Sequence, residues 1–156
     1  MRIASVRGNV QTRLAKLDGG EYSALVLAAA GLKRLGLEHR ICRYFSTEEI
    51  LPAAGQGILV VQTRQGMDTD CLRLVRDEDS TWCALAERAF VRTLDGGCTS
   101  PVAAHAVADG GTLTLTGFYV SADESVQRKG TLSGSREQAE QLGQALANQL
   151  REGEGQ

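Results

Sequence analysis

The chain has 156 residues, of which 42% are hydrophobic and 23% are charged, with 17 lysines and arginines against 19 aspartates and glutamates. The formal net charge of −2 gives no reason to expect general nucleic-acid binding, and no apolar run is long enough to span a bilayer. The first residues, MRIASVRGNV, lack the apolar core of a signal peptide. We therefore expect a cytoplasmic protein that binds neither nucleic acid nor membrane.

The beginning of the chain alternates between extended and helical patterns. Residues 2–6 (RIASV) predict a short strand, and Asn9 predicts the N-cap of a helix that ends near Gly19. Residues 23–29 (SALVLAA) are a continuous apolar run, typical of a strand buried on both faces, and 31–37 predict a short helix. Strand, helix, strand and helix in this order indicate a parallel βαβ unit and an α/β fold.

The next part of the chain mixes turns with two further elements. Residues 46–50 (STEEI) carry their own N-cap, and 51–57 (LPAAGQG) are a glycine-containing linker. Residues 58–63 (ILVVQT) predict a further strand, and 68–76 predict a helix. The charged run at 76–79 (RDED) indicates a domain boundary.

After this boundary the pattern changes to one helix, three strands and a second helix. Ser80 predicts the N-cap of the first helix and Gly96-Gly97 its end, while Ser135 caps a last helix that runs to about Leu150. The strands are predicted at 102–109, 112–120 and 126–132, with turns at Gly110-Gly111 and Asp123–Ser125. Residues 78–150 are thus expected to form an α+β unit of α-β-β-β-α order that folds on its own.

The cysteines Cys42, Cys71, Cys83 and Cys98 form no CxxC pair, so we expect neither a metal site nor, in the cytosol, a disulfide framework. The first three have apolar neighbours and are predicted to be buried, inert thiols. Cys98 follows Gly96-Gly97 at a helix C-terminus, whose dipole disfavours a thiolate. An accessible thiol of low activation suits a permanent attachment point, but this stretch alone favours a filler residue after a helix stop.

Three arginines are candidates for anion binding. Arg7 directly follows a predicted strand, Arg13 lies on the next helix, and Arg34 lies on the helix after the buried strand. Ligands of parallel α/β sheets gather where strands end and helices begin, and guanidinium groups bind carboxylates and phosphates through paired hydrogen bonds. For any one of these arginines taken alone, solvated surface charge is the favoured interpretation.

Gln56, between two glycines in AAGQGI, predicts a bent hinge, and an amide that hydrogen-bonds a ligand in a cleft is the alternative. The GxG spacing does not match a nucleotide-binding fingerprint. His105 lies seven residues after Cys98, but a catalytic Cys-His dyad is not favoured because the sequence shows no third partner.

Four segments together resemble one protein family. They are RGNVQTRLAKLDGGEYSALVLAAAGLKRLGL (7–37), LPAAGQG (51–57), AERAF (86–90) and LDGGCTSPVAAHA (94–106). Their order and spacing resemble those of the porphobilinogen deaminases, also called hydroxymethylbilane synthases, along nearly the whole chain.

The resemblance implies an enzyme of tetrapyrrole synthesis that joins four porphobilinogen molecules head to tail and releases ammonia from each. In that family the cysteine of the GGC loop carries a dipyrromethane cofactor through a thioether, so the resemblance makes Cys98 the covalent anchor of the growing polypyrrole chain. Each porphobilinogen carries an acetate and a propionate. By resemblance, Arg7, Arg13 and Arg34 bind these carboxylates.

Two further residues match family positions near the cofactor. Arg88, in AERAF, matches another arginine of the motif, and Gln56 matches a cleft-lining position of the hinge. The aspartate that the family uses for proton handling has no counterpart among the carboxylates of this chain. The resemblance therefore supplies cofactor-binding residues but no catalytic residue.

The family has three domains, and the first two resemble periplasmic binding proteins joined at a hinge. By resemblance, residues 1–51 are the latter half of domain two, 52–77 are the hinge and a strand and helix returning to domain one, and 78–152 are domain three. Since the family is about twice as long, we expect a C-terminal fragment that is inactive alone. Its strand at 58–63 should be unprotected and prone to association, whereas the full-length protein should be a monomer.

Two other functions are compatible with the residues. A module that binds an anionic ligand without catalysis predicts that Arg13→Ala weakens binding while Cys98→Ser has no effect. A thiol-based redox module predicts that Cys98 oxidises readily and reversibly, and the neighbouring helix C-terminus argues against it.

Overall fold

The computed structural model describes residues 2–95 and 101–153, and the chain divides into two units, Met1–Phe45 and Ser46–Gln156. Among the described residues, none of the helices combines the length and the apolar character needed to cross a membrane.

Short helices make up the regular structure of the first unit. They are α1 (Val10–Asp18), α2 (Ala29–Arg34) and a 3₁₀ turn at Glu38–Arg40. The N-cap prediction is confirmed, because the Asn9 side-chain oxygen accepts a hydrogen bond from the Thr12 N–H at 2.8 Å. Leu14 of α1 and Leu32 of α2 are the buried hydrophobic residues of this unit.

The strands predicted at 2–6, 23–29 and 58–63 are wrong for this structure. None of residues 2–95 belongs to a β-ladder, so the parallel βαβ arrangement expected for residues 1–51 is not formed in the described part of the chain. A strand exists only where its N–H and C=O groups find a neighbouring strand. These runs have none, and Val26 and Leu59 are 70% and 88% exposed rather than buried.

Two predicted helices are shorter than expected. The helix expected at 31–37 begins two residues earlier and ends at Arg34, shortly before Gly36, whose φ of +70° interrupts the helical backbone. The helix expected at 68–76 is a 3₁₀ turn at Asp70–Leu74.

The second unit confirms the predicted α-β-β-β-α order. Its elements are α3 (Glu78–Thr93), β1 (Ala103–Asp109), β2 (Thr112–Val120), β3 (Gln127–Ser135), a 3₁₀ turn (Arg136–Gln138) and α4 (Ala139–Glu152). The sheet is antiparallel in the order β1-β2-β3, and Leu115 of β2 lies between Ala106 and Leu132 in the register. The second unit is therefore an α+β fold.

The N-termini of the two long helices differ in detail from the predictions. Asp77, not Ser80, caps α3, because its carboxylate accepts a hydrogen bond from the Ser80 N–H at 2.6 Å and Ser80 occupies the third helical position. Ser135 precedes the 3₁₀ turn rather than α4 itself, and its hydroxyl bonds to Glu137 instead of a helical N–H.

Both long helices pack on one face of the sheet and form the core there. Alternate residues of β2 point to this face, where Leu113 and Leu115 are fully buried together with Phe90 of α3 and Leu146 of α4. Burying a side chain of this size contributes about 1.5–3 kcal/mol relative to leaving it in water. The hydrophobic stabilisation of the chain is therefore concentrated between Glu78 and Glu152.

Gly143 sets the distance between the two long helices. A Cβ atom at this position would lie 2.3 Å from the Ala86 carbonyl oxygen and 2.8 Å from the Ala89 Cβ. Both are parts of α3 that cannot move without shifting the helix. The two helices therefore approach closely only because this residue has no side chain.

We expect Gly143→Ala to destabilise the second unit by about 1–3 kcal/mol, because the added methyl forces α3 and α4 apart. Urea unfolding followed through the fluorescence of the single tryptophan, Trp82, measures the change. Gly111→Ala is the control, since a Cβ there meets no atom within 4 Å. Equal stability of the two variants would contradict the proposed packing constraint.

We expect the chain to associate through its exposed apolar run at 58–61, where Leu59, Val60 and Val61 are 88%, 85% and 60% exposed. An extended, unpaired apolar segment pairs readily with a second chain. Sedimentation velocity at increasing concentration should show association, and Val60→Glu should reduce it. A strictly monomeric wild-type chain whose amides at 58–63 resist hydrogen exchange would contradict this prediction.

Candidate functional site

The outer edge of β1 is closed by groups from outside the sheet. The Ala104 N–H donates to the Pro52 carbonyl at 3.1 Å, and the Ala106 N–H donates to the Glu87 carboxylate at 2.8 Å. Cys83 and Ala108 lie together at the same edge. Alternate residues of a strand direct their N–H groups to the same side, so Pro52 and Glu87 accept two of the N–H groups that β1 directs away from β2, and Cys83 lies beside the third.

Glu87 is the central residue of this edge. Its side chain is 3% exposed, and its second oxygen accepts a hydrogen bond from the Gly55 N–H at 2.6 Å. A buried carboxylate is tolerated only when it accepts such hydrogen bonds. Because Cys83 lies one helical turn before Glu87, both side chains point to the same side of α3 and reach the edge together. Glu87 thereby joins α3, β1 and the linker that contains Gly55.

The linker around Gln56 forms two successive turns. The Gln56 N–H donates to the Ala53 carbonyl at 3.0 Å, and the Ile58 N–H donates to the Gly55 carbonyl at 3.1 Å. Gly55 and Gly57 have φ angles of +76° and +86°, in the left-handed region that favours glycine. The two glycines therefore allow the bend that the sequence predicted at this position.

Gln56 and Gly57 line a groove of about 370 Å³, which we call the hinge groove. Cys83, Glu87 and His105 line it as well. His105 Nδ1 lies 3.8 Å from a Glu87 carboxylate oxygen. The remaining lining residues are Ile58, Asp77, Asp79, Ser80, Ala106, Val107 and Ala108. The groove thus presents an amide, a thiol and an imidazole beside several carboxylates.

Most carboxylates in and near the groove accept hydrogen bonds or form ion pairs. Hydrogen bonds from the Ser80 hydroxyl and N–H keep the pKa of Asp77 below its usual range, and Asp79 lies 3.4 Å from the Arg136 guanidinium. Both oxygens of Glu87 accept backbone N–H groups. No buried side-chain nitrogen or oxygen among the residues described lacks a hydrogen-bond partner.

The predicted anion-binding arginines lie in the first unit. Arg7 is exposed just before the N-cap of α1, and Arg13 on α1 folds back so that its Nε donates to the Gly8 carbonyl at 2.7 Å. Two guanidinium groups therefore belong to the N-terminal end of α1, which itself favours anions. Arg34 is exposed at the last residue of α2. Among the described residues, no carboxylate forms an ion pair with Arg7 or Arg34.

Cys98 lies outside the described residues, but the elements on either side of it are defined. On one side α3 ends at Thr93, whose carbonyl accepts a hydrogen bond from Arg151 of α4 at 3.2 Å. On the other side, β1 begins at Ala103. The Cys98–His105 dyad lies outside the described residues because Cys98 does. His105 lies beside Glu87.

The prediction of three buried thiols is wrong for two of them. Cys42 and Cys71 are exposed, because their apolar neighbours lie in segments that no other layer of structure covers. Cys83 is half-buried, and burial together with the charge of Glu87 raises the pKa of its thiol.

Glu87 and Cys83 were not recognised as site residues from the sequence. The signal for Glu87 was present, because a charged residue stands between Ala86 and Ala89 on the apolar face of the predicted helix. Arg88, the motif residue that was selected, is exposed on α3. Glu87, the buried residue beside it in the sequence, accepts the hydrogen bonds from Gly55 and Ala106.

Comparison with known proteins identifies two family models that together match most of the chain. The model for "Porphobilinogen deaminase, dipyromethane cofactor binding domain" matches residues 1–72, and the model for "Porphobilinogen deaminase, C-terminal domain" matches residues 81–152.

Curated relatives named porphobilinogen deaminase match the same residues. The chain is 52% identical over 150 residues to the protein of Ruminiclostridium josui, which covers 96% of this chain and 52% of the relative. It is 54% identical over 149 residues to that of Alkaliphilus oremlandii, covering 96% and 50%, and 45% identical over 154 residues to that of Coxiella burnetii, covering 97% and 50%. The chain thus spans about half the length of the curated relatives it matches.

We expect Cys83 to react with iodoacetamide several-fold more slowly than Cys42 and Cys71 at pH 7.5, because burial and Glu87 disfavour its thiolate. The difference should narrow at higher pH as the Cys83 thiol ionises. Glu87→Gln should accelerate Cys83 and leave Cys42 unchanged. Peptide mass spectrometry of the alkylated chain measures each site, and equal rates at Cys83 and Cys71 would contradict the prediction.

Proposed function

Because the chain belongs to the porphobilinogen deaminase family, we propose that it is part of a transferase of tetrapyrrole (porphyrin and haem) biosynthesis. The proposed enzyme joins four porphobilinogen molecules head to tail to hydroxymethylbilane and releases ammonia from each. The observation that carries this proposal is 45–54% identity to porphobilinogen deaminases over at least 96% of the chain.

We assign the covalent attachment of the dipyrromethane cofactor to Cys98. The cofactor supplies the pyrrole terminus on which the chain of porphobilinogen units grows, and the thioether keeps its base on the protein. The match of residues 1–72 to a cofactor-binding family model supports the presence of this cofactor, and the GGC motif at 96–98 supports Cys98 as its attachment point. The thiol's role requires attachment only once, so strong activation of the thiolate is unnecessary.

The arginines of the first unit suit the carboxylates of the cofactor and of the growing chain. Arg7 and Arg13 belong to the N-terminal end of α1, where backbone N–H groups add to the positive potential. Each pyrrole unit carries two carboxylates, which guanidinium groups bind through paired hydrogen bonds. We propose that Arg7, Arg13 and Arg34 bind these groups, and that Arg88 contributes from α3.

Gln56 is proposed to direct its amide at the pyrrole chain from the tip of the hinge turns. An amide donates and accepts hydrogen bonds without adding charge, which suits a position beside a polyanionic ligand. Its place in the hinge groove, within the unit that also contains Cys98, supports this role.

We propose that these 156 residues do not catalyse polymerisation by themselves. Glu87, the buried carboxylate of the site, accepts backbone N–H groups at both oxygens and so joins elements of the fold. No carboxylate of this chain matches the family's catalytic aspartate. We also propose that residues 1–51 belong to domain two, that 52–77 are the hinge segment and that 78–152 are domain three. The full-length protein, in which further residues cover 58–63, is expected to be a monomer.

A module that binds an anionic ligand without chemistry is the second candidate. It is favoured by one observation, the folding back of Arg13 towards the N-terminal end of α1, shortly after Arg7 in the sequence. Arg13→Ala would then weaken ligand binding, and Cys98 would be dispensable.

We expect the intact mass of the purified chain to exceed the sequence mass by two linked pyrrole units, and we expect Cys98→Ser to lack the addition. Cys83→Ser is the control and should retain it, since Cys83 is half-buried against the core and is not part of the GGC motif. An unmodified wild-type mass, or an addition that persists in Cys98→Ser, would contradict the role of Cys98. Hydroxymethylbilane formation by the isolated chain would contradict its proposed inactivity.

A further inference from the structure

Gln56 reaches the hinge groove from a turn that has few attachments to the rest of its unit. The turn bonds Gln56–Ala53 and Ile58–Gly55 are both internal to the segment. They shape the turn but do not determine where it lies. The side chain of Gln56 can keep a fixed position towards a ligand only if the whole turn is attached to a well-packed element of the unit.

Glu87 provides that attachment. It lies on α3, which is packed into the core through Ala86, Ala89 and Phe90. One carboxylate oxygen accepts the N–H of Gly55, the residue directly before Gln56, at 2.6 Å. The other accepts the N–H of Ala106 on β1 at 2.8 Å. A single side chain thus fixes the turn and the strand to the same helix.

The two elements that Glu87 joins to the turn lie on either side of Cys98 in the sequence. Helix α3 ends at Thr93, five residues before Cys98, and β1 begins at Ala103, five residues after it. Ala54 of the turn also packs against the core, and the Glu87 carboxylate is the hydrogen-bond acceptor that joins the turn to both α3 and β1. The Pro52–Ala104 bond connects the linker to β1 in addition, but it lies three residues before Gly55 and does not bind the turn itself.

We propose that Glu87 is a positioning residue that holds Gln56 at a fixed place relative to α3 and β1, the two elements that flank Cys98 in the sequence. It touches neither substrate nor cofactor and acts through the Gly55 N–H. The proposal rests on the proposed function, because it assumes that Gln56 faces the pyrrole chain. Its structural part, the attachment of the Gln56 turn by Glu87, is testable without any bound pyrrole.

Hydrogen exchange of individual amides, measured by NMR on the full chain, tests that part. Glu87→Met removes both acceptors, and the Gly55 amide should exchange about tenfold faster or more, as expected for the loss of a hydrogen bond to a charged group. If Glu87 fixes the turn, the amides of Gln56 and Ile58 should also exchange faster. Glu87→Gln has one acceptor oxygen, so it should restore protection at Gly55 or at Ala106 but not at both.

Cys83→Ala is the matched control, since Cys83 lies one turn earlier on α3 and lines the same groove beside Ala108. It should leave Gly55 and Gln56 unchanged. A uniform acceleration across α3, β2 and α4 in both glutamate variants would show a general loss of stability and would overturn the proposal. So would faster exchange at Gly55 alone with unchanged amides at Gln56 and Ile58.

Pyrrole loading on Cys98, measured by intact mass, tests the link to the cofactor. Gln56→Ala and Glu87→Gln should each reduce loading, and the double variant should load no less than the poorer single variant, because both changes disable one unit. If the loading losses of the two single variants multiply in the double variant, the proposal is overturned. A wild-type chain that does not load at all would contradict the proposed function, while the exchange experiment would still decide whether Glu87 positions the turn.

Discussion

The buried carboxylate of Glu87 is the interaction on which the arrangement of the second unit depends. Moving a charge out of water costs several kcal/mol even after the protein relaxes, and the two N–H groups of Gly55 and Ala106 offset that cost. For both bonds to form, the register of β1, the rotation of α3 and the bend of the linker must agree. An error in any of these three would leave a charge buried without a donor.

Two further features hold the second unit together around this interaction: the close packing of α3 on α4 and the covered outer edge of β1. Gly143 allows α4 to approach α3 until backbone and Cβ atoms are in contact, and Pro52 and Glu87 accept N–H groups at the outer edge of β1, where Cys83 also lies. The segment that carries Cys98 thus begins and ends in the best-packed part of the chain. The arginines proposed to bind carboxylates lie in the other unit, where only Leu14 and Leu32 are buried hydrophobics among the described residues. This division suits an enzyme whose cofactor base stays fixed while the attached chain grows.

The first unit shows how strongly strand formation depends on partners. The apolar runs at 23–29 and 58–63 have the composition of buried strands, yet they remain unpaired and exposed in the described structure. Helix α1 forms where it was predicted, because its cap and its hydrogen bonds lie within ten residues of one another. Apolar composition favours a strand only where a neighbouring strand supplies hydrogen-bond partners. The described residues contain no such neighbour for these two runs.

By itself the sequence determined the elements whose hydrogen bonds are local or whose pairing partners follow within a short turn. These are α1 with its Asn9 cap and the β1-β2-β3 meander between two amphipathic helices. It also determined the family, through motifs that carry Cys98 and Gln56. Only the tertiary structure decided that Asp77 caps α3, that Cys42 and Cys71 are exposed, and that Glu87 rather than Arg88 is the buried residue of its motif. The physical reason is that burial and long-range hydrogen bonds depend on segments such as 53–57 and 103–109, which are distant in sequence and meet only in the folded unit.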